Sequence, residues 1–369
     1  MANACLVWAP IETTNEAALE LPLQIADAIN GPIYTQSCPE KLLSEEYNGV
    51  RFNEFGRKSL LDLIINKTPL EEINKNAQYA TWKPPKQYNT FVTRGPKPIH
   101  TVQRIGQRHI HYFEGSYRGF FFHKDKYEEF LEYSNLKQVC IAPIRHYFRT
   151  AIQGSVRTVD TVVVNSEWTG ELVQSLYNIE VDEIIYPIMT LDTYDPSFQT
   201  KASDDYYLYM GKIDALHRIE EVVRAFKQLP YHLKIAGDGK QKEELESEGY
   251  DSIEFTGYVT GDEKRELLAN ANALINPADH SFGRVIVESL ASGTPVISAN
   301  IGYPPHIITE GENGLLYEPG VDNLINRVED FEREGVHATQ SELRKAVKPY
   351  KKHRNKAKWA DLVGTSAAE

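Results

Sequence analysis

Cysteine and methionine are scarce, with three of each among 369 residues. Cys5, Cys38 and Cys140 lie far apart, fit no metal-ligand spacing and cannot all pair with one another. That excludes a disulfide framework and fits a reducing compartment. Also missing is any apolar run approaching the roughly 18 residues that a spanning helix needs. The opening MANACLVWAPIE has no basic segment, and its apolar run stops at Pro10 and Glu12, so no secretory signal is expected and the cytoplasm is the expected address. Basic charge is the minority sign: 40 Lys and Arg face 52 Asp and Glu, a formal net charge of −12. A generic grip on nucleic-acid backbone would need the opposite balance. No G-x-G-x-x-G, Walker A, zinc spacing or Ser/His/Asp nucleophile motif occurs.

What is present is ordinary globular material, 41% hydrophobic and 25% charged, in a chain long enough for two domains. The apolar run at residues 4–9 reads as a buried strand, and the period from Asn15 to Ile29 as a helix with Ala18, Leu21, Ile25 and Ala26 on one face. Further apolar runs follow at IHTVQ, HIHYF and TVVVNS. Residues 186–205, with two prolines and no sustained period, read as a linker. Beyond it strands and helices alternate: YYLYMG, IEEVVRAFKQL, HLKIAG, KQKEELES, SIEFTG, a well-capped helix over 262–271, ALINP, VIVESLAS and TPVISA. Such alternation predicts a doubly wound α/β sheet, with ligands where strand C-termini meet helix N-termini. From about Ser341 the chain reads as helical and basic, either a solvated face or a contact for anionic lipid or a polyanionic acceptor.

The stretch from 276 to 316 carries the most information. Gly283 stands where a loop enters a helix, so backbone N–H groups there can face an anion such as a diphosphate. Glu288, five residues on, falls inside that helix, where a carboxylate can accept hydrogen bonds from vicinal ribose hydroxyls. Taken alone, the same spacing also describes turn glycines and a solvated glutamate.

Residues Pro277, Phe282-Gly283, Glu288, Ser292-Gly293-Thr294-Pro295-Val296 and GENGLLYEP resemble the signature of retaining, nucleotide-sugar-dependent glycosyltransferases of family four, the group 1 glycosyltransferases. YMGKIDALHRIEEVVRAF, IAGDGK, FTGYVTGDEKRELLANANALINP and VDTVVVNSEWTGELVQSLYNIEVDEIIYPIMTLDTY extend the resemblance over residues 155–320. It implies an α/β protein of two Rossmann-like domains facing a cleft (GT-B architecture). Residues 1–190 would form the acceptor-side domain and 191–340 the donor domain, with the basic helix of 341–369 crossing back to the first. Donor diphosphate would be held by Lys212, His217, Arg218, Phe282, Gly283 and Arg284, ribose by Glu288, and the base beside Tyr258 and Val259. The resemblance further implies retention, no metal and no cofactor beyond the nucleotide-sugar donor. Its partners would be a glycan or lipid-linked acceptor and, through the basic helix, the cytoplasmic membrane face.

Departures from the family pattern are as specific as the matches. The family's first glutamate falls at His280, beside Asp279, and a histidine brings hydrogen bonding without a permanent negative charge. The usual glycine pair and glutamate after the next strand become Gly302, Tyr303 and His306, and the phosphate-binding arginine becomes Lys212, a point charge without the guanidinium fork. In the first half, alignment on Gly115 and Arg118 puts Glu114 in the slot of the family's histidine, with His111 three residues earlier. The resemblance thereby makes Glu114, His111 and His280 the catalytic candidates, with Glu114 either an acceptor-orienting base or an exposed loop carboxylate. Rival readings are a GT-B nucleotide-sugar 2-epimerase, a nucleotide-sugar-binding protein that has lost catalysis, and a two-domain dehydrogenase, the last disfavoured by the missing glycine fingerprint.

Overall fold

The computed structural model describes residues 3–11, 16–44, 46–56, 69–115, 146–147, 149–198 and 205–365. Cys140, Arg118 and residues 12–15 of the first strand–helix turn lie outside the described residues. The chain divides into two compact units, Met1–Ile188 with His353–Glu369, and Met189–Lys352.

The first unit is built on a seven-stranded sheet: β1 (Ala4–Trp8), β2 (Ile33–Thr35), β3 (Phe52–Glu54), β4 (Thr90–Arg94), β5 (Arg108–Phe113), β6 (Thr161–Val164) and β7 (Glu183–Ile184). Their order is β3-β2-β1-β4-β5-β6-β7 and every pairing is parallel. A parallel sheet is covered on both faces, which is why β1 is apolar at every position and buried throughout. One face carries Leu6, Val92, Ile110 and Tyr112 and packs on Ile25 and Ile29 and on Trp359 of the Lys352–Val363 helix. The other carries Cys5, Val7 and Phe91 in one cluster and Phe113, Val162 and Val164 in another.

The second unit has six parallel strands: β8 (Tyr206–Met210), β9 (His232–Ala236), β10 (Ile253–Gly257), β11 (Leu274–Asn276), β12 (Val296–Ala299) and β13 (Gly314–Tyr317). Their order, β10-β9-β8-β11-β12-β13, reverses between β8 and β11, where Leu208 pairs with Leu274. In the Ile219–Phe226 helix Val222, Val223 and Phe226 are buried, as its periodicity predicts.

Several details differ from the sequence reading. IHTVQ is not a strand: Pro98–His100 forms a single 3-10 turn, since Pro98 offers no N–H to a ladder. The helix expected from Asp262 begins at Gly261, and its N-cap Thr260 makes no side-chain capping bond. The unit division falls after Ile188 and again after Lys352, not after 190 and 340. Gln340–Ala346 stays with the second unit because Leu343 is buried there and the Arg344 guanidinium donates to the Ser292 carbonyl at 2.7 Å. The basic C-terminal residues are not all a free cationic face: Lys351 pairs with Asp192, Lys356 with Asp27 and Lys358 with Glu183, at 2.6, 2.9 and 2.8 Å.

Trp359 is 1% exposed and meets Tyr112 edge-on at 5.2 Å. Trp359→Ala is expected to destabilise the first unit by about 3–5 kcal/mol, the range for deleting a buried aromatic. Equilibrium denaturation followed by near-UV circular dichroism measures it; a loss under about 1 kcal/mol would mean that the C-terminal helix contributes little to that core.

Candidate functional site

The reversal of strand order between β8 and β11 fixes where side chains converge, because loops leaving two neighbouring strands in opposite directions open a crevice at their C-terminal ends. After β8 come Lys212, His217 and Arg218; after β11 come His280, Phe282 and Gly283. Except for Tyr258 and Val259, which follow β10, the sequence-predicted residues of the second unit thus lie beyond two adjacent strand ends.

Lys212 is exposed, and the Tyr209 hydroxyl donates to its carbonyl at 2.6 Å, fixing the turn. Asp214 caps the following 3-10 turn: its Oδ1 accepts from the His217 amide at 3.0 Å and lies 2.7 Å from His217 Nδ1. That contact orients the imidazole. Arg218 behaves otherwise than expected. It occupies the left-handed region (φ 53) and its guanidinium pairs with Glu221, with Nε 3.1 Å from Oε2. Glu221 is buried, so this cation already neutralises an internal charge.

Gly283 (φ 79) is the N-cap of the Arg284–Ser292 helix. A side chain there would be strained in φ, and its Cβ would come within 3.0 Å of Ile286. The Ile286 amide donates to the Gly283 carbonyl at 3.1 Å, so the turn closes on itself and the helix N-terminus, the positive end of its dipole, begins at Gly283. Arg284, half-exposed, begins that turn. Phe282 does not face the crevice: it is buried, stacked on Tyr303 at 5.6 Å and edge-on to Tyr350 at 5.4 Å. Its place is to hold the turn.

Glu288 is 6% exposed. Lys264 Nζ lies 2.7 Å from its Oε2, and the Tyr194 hydroxyl also bonds to its carboxylate; burial, then this carboxylate, pushes Tyr194 far above the usual phenol range. The predicted ribose acceptor is therefore a buried, neutralised carboxylate rather than a solvated one. Lys264 and Tyr194 are residues that sequence reasoning missed.

His280 is half-buried, with Nε2 2.9 Å from Asn276 Oδ1. Burial, with His217 nearby at a ring separation of 6.1 Å, pushes its pKa down to about 4. Its carbonyl accepts from the Tyr303 amide at 2.9 Å. Gly302 makes this approach feasible: a Cβ there would stand 2.4 Å from Asp279 Oδ1 and 2.7 Å from the His280 carbonyl oxygen. Tyr258, 65% exposed, and the buried Val259 follow β10.

In the first unit Glu114 stands at the C-terminal end of β5 and is ion-paired with Arg94, whose guanidinium lies 4.8 Å over the Trp8 ring. His111 is a correction. It is fully buried within β5, edge-on to Phe113, with Nδ1 2.6 Å from Thr93 Oγ1, and burial drives its pKa far down. It is a core residue with no access to a substrate. Among the described residues no group of three or more His, Cys, Asp or Glu is placed to hold a metal, and no helix is long and apolar enough to cross a membrane.

Residues 192–354 match the family described as glycosyl transferases group 1. That match falls almost wholly within the second unit. Relatives of this group 1 domain include the sulfoquinovosyl transferase SQD2 of Arabidopsis thaliana, 32% identical over 33% of this chain and 25% of that protein. Another is D-inositol 3-phosphate glycosyltransferase of Mycolicibacterium smegmatis, 28% identical over 45% of this chain and 43% of that one. These alignments span less than half of either protein. Fold similarity extends further: Anabaena HepE in complex with UDP superposes with a TM-score of 0.69 over 99% of this chain and 100% of that one, at 15% identity. A lipopolysaccharide outer core galactosyltransferase, WaaB, gives 0.69 over 98% of both, at 12% identity. The fold is that of GT-B glycosyltransferases, two parallel α/β units.

His280 sets a pH dependence with a definite sign. Its folded pKa lies below the unfolded value of about 6.5, so as pH falls from there toward about 4 the unfolded chain takes up a proton that the native state refuses. Stability is full above that window and declines within it. Calorimetric melting between pH 7 and pH 5 should show a smaller fall for His280→Gln than for wild type; parallel slopes would show that His280 ionises as freely in the fold as outside it.

Proposed function

We propose that the chain is a retaining glycosyltransferase, moving a hexose from a nucleotide-diphosphate sugar to a hydroxyl of a glycan, lipid-linked or other acceptor, without a metal ion. The observation that carries this reading is Glu288: a buried carboxylate five residues inside a helix whose Gly283 end opens at the strand-order reversal, in a domain of the group 1 family. In the reaction the bond from sugar C1 to the diphosphate oxygen breaks, a bond from C1 to the acceptor oxygen forms, and the acceptor proton leaves with the diphosphate or to solvent. Lys212, His217, Arg284 and the Gly283-turn amides stabilise charge gathering on the leaving diphosphate, a role that preorganised donors fill best. Arg218 supports this loop through Glu221 rather than binding phosphate itself. Glu288, aligned by Lys264, accepts from ribose hydroxyls, and backbone beside Tyr258 and Val259 borders the base. His280, neutral at pH 7, hydrogen-bonds a sugar hydroxyl, and Glu114 orients the acceptor.

A second reading, nucleotide-sugar binding without turnover, draws on His280 standing where the family carries glutamate, already tied to Asn276. Transfer and hydrolysis assays with UDP-, GDP-, ADP- and dTDP-sugars separate the two. A donor that binds but is neither hydrolysed nor transferred across a broad acceptor panel favours the second.

Lys212→Ala should weaken nucleoside diphosphate binding by about 1.5–3 kcal/mol, the range of charge-assisted hydrogen bonds, and calorimetry reads this directly. Glu288→Ala should weaken nucleoside diphosphate and intact donor alike. His280→Ala should spare the nucleoside diphosphate and lower kcat, since its contact is with the sugar. Turnover should survive EDTA; its loss on chelation and return with manganese or magnesium would overturn the metal-free mechanism.

A further inference from the structure

His280 lies in the loop after β11, beside the reversal of strand order. A histidine can serve there as an acceptor, as a carboxylate would, only through a ring nitrogen that carries no proton. Which nitrogen that is depends on the bond made by the other one. The surroundings of Asn276 settle the matter.

Asn276 ends β11, is 4% exposed and pairs in register with the buried Ser298 of β12. Its Nδ2 lies 2.9 Å from Ser298 Oγ and 3.4 Å from the Ala278 carbonyl oxygen. The Ser298 hydroxyl donates to backbone carbonyls, with that of Asn276 at 3.2 Å and that of Ala299 at 3.3 Å, so its oxygen is left to accept. Both neighbours on this side of the amide are therefore acceptors, and the side is the NH2 group. Reversing the amide would set its oxygen against the Ala278 carbonyl oxygen and cost Ser298 its bond to a backbone carbonyl.

Asn276 Oδ1 thus faces His280, 2.9 Å from Nε2, and an amide oxygen can only accept. The proton of the neutral ring is on Nε2, and Nδ1 carries a lone pair. Nδ1 makes no hydrogen bond among the described residues, and it is not one of the buried unpaired atoms, so part of its surface stays accessible. Burial, then the neighbouring His217, holds the pKa down to about 4 against the opposite pull of Asp279, so at pH 7 the lone pair is not lost to a proton. The ring therefore offers an acceptor without a negative charge. Its tie to Asn276 occupies only the other nitrogen.

We propose that Asn276 is a positioning residue that holds His280 as its Nε2–H tautomer, and that His280 Nδ1 accepts a hydrogen bond from a hydroxyl of the transferred sugar. The sugar contact rests on the transferase reading; the positioning role does not.

The test uses the full chain labelled with 15N-histidine, its ring nitrogens read at pH 7 by long-range proton–nitrogen correlation. His280→Gln identifies the His280 signals by their loss. Wild type should show a protonated Nε2 and a bare Nδ1. Asn276→Leu removes the acceptor and Ser298→Ala removes the group that fixes the amide, and in each the His280 signals should move toward a mixture of tautomers. Melting curves establish folding, and Ser298→Ala, the smaller change, decides if Asn276→Leu does not fold. UDP-glucose, GDP-mannose and ADP-glucose are then added, each beside its nucleoside diphosphate. The donor that binds should shift the Nδ1 signal, and its diphosphate should leave it in place. With that donor the folded variants should lower kcat by about fivefold or more and change the Kd of the diphosphate less than about twofold, whereas a merely structural role would weaken both.

A proton on Nδ1 in wild type, or an unchanged tautomer in the folded variants, overturns the positioning role. A donor that binds yet shifts Nδ1 no more than its diphosphate does overturns the sugar contact. If no donor binds, the transferase reading and the sugar contact fall together, and the tautomer in the free protein still decides the positioning role.

Discussion

A carboxylate 6% exposed within a helix needs a cation close by, and for Glu288 that cation is Lys264. Removing Lys264 would strand that buried charge, so the pair ties the Gly261–Asn270 helix to the Arg284–Ser292 helix. The same pairing fixes the carboxylate in place. A solvated glutamate would be a mobile, weakly selective acceptor; one clamped by an ammonium and by the Tyr194 hydroxyl presents its lone pairs in one orientation. The helix that carries it is capped by Gly283, so that N-terminus and the buried carboxylate are two features of one element.

Around that element charge is distributed by burial rather than by residue type. Arg218 has the strongest intrinsic cation yet is directed to Glu221, while Lys212 remains exposed and His217 is oriented by Asp214. His280, with its pKa pushed down to about 4, sits beside them as a neutral hydrogen-bonding group. The crevice thus sets a neutral imidazole beside cations.

The first unit shows how a missing helix changes a doubly wound sheet. Its crossover between β4 and β5 is one 3-10 turn, and the face beneath is polar: Thr93 Oγ1 lies 2.7 Å from His109 Nε2 and 2.6 Å from His111 Nδ1. One hydroxyl within hydrogen-bond distance of two imidazole nitrogens gives a partner to buried nitrogens that an apolar core would leave unpaired. This network separates the two apolar clusters of that face.

Strand and helix positions in the second unit were legible in the sequence because each β-α step is local: YYLYMG, HLKIAG and TPVISA are short apolar runs, and Val222, Val223 and Phe226 share a helical period. The glycine turn at 283 and the carboxylate at 288 were legible for the same reason, being set by spacing along one helix. Arg218 with Glu221 and His280 with Asn276 lay within reach of the sequence, three and four residues apart, but nothing in the spacing says that the bond forms. What only tertiary structure decided were partners from elsewhere in the chain, Lys264 and Tyr194 for Glu288 and Tyr303 for Phe282, and the full burial of His111 within β5. Local sequence determines backbone period and turn chemistry. Whether a side chain reaches a ligand or a neighbour depends on which other segments the parallel sheet brings alongside it, and that ordering is set by long-range strand pairing.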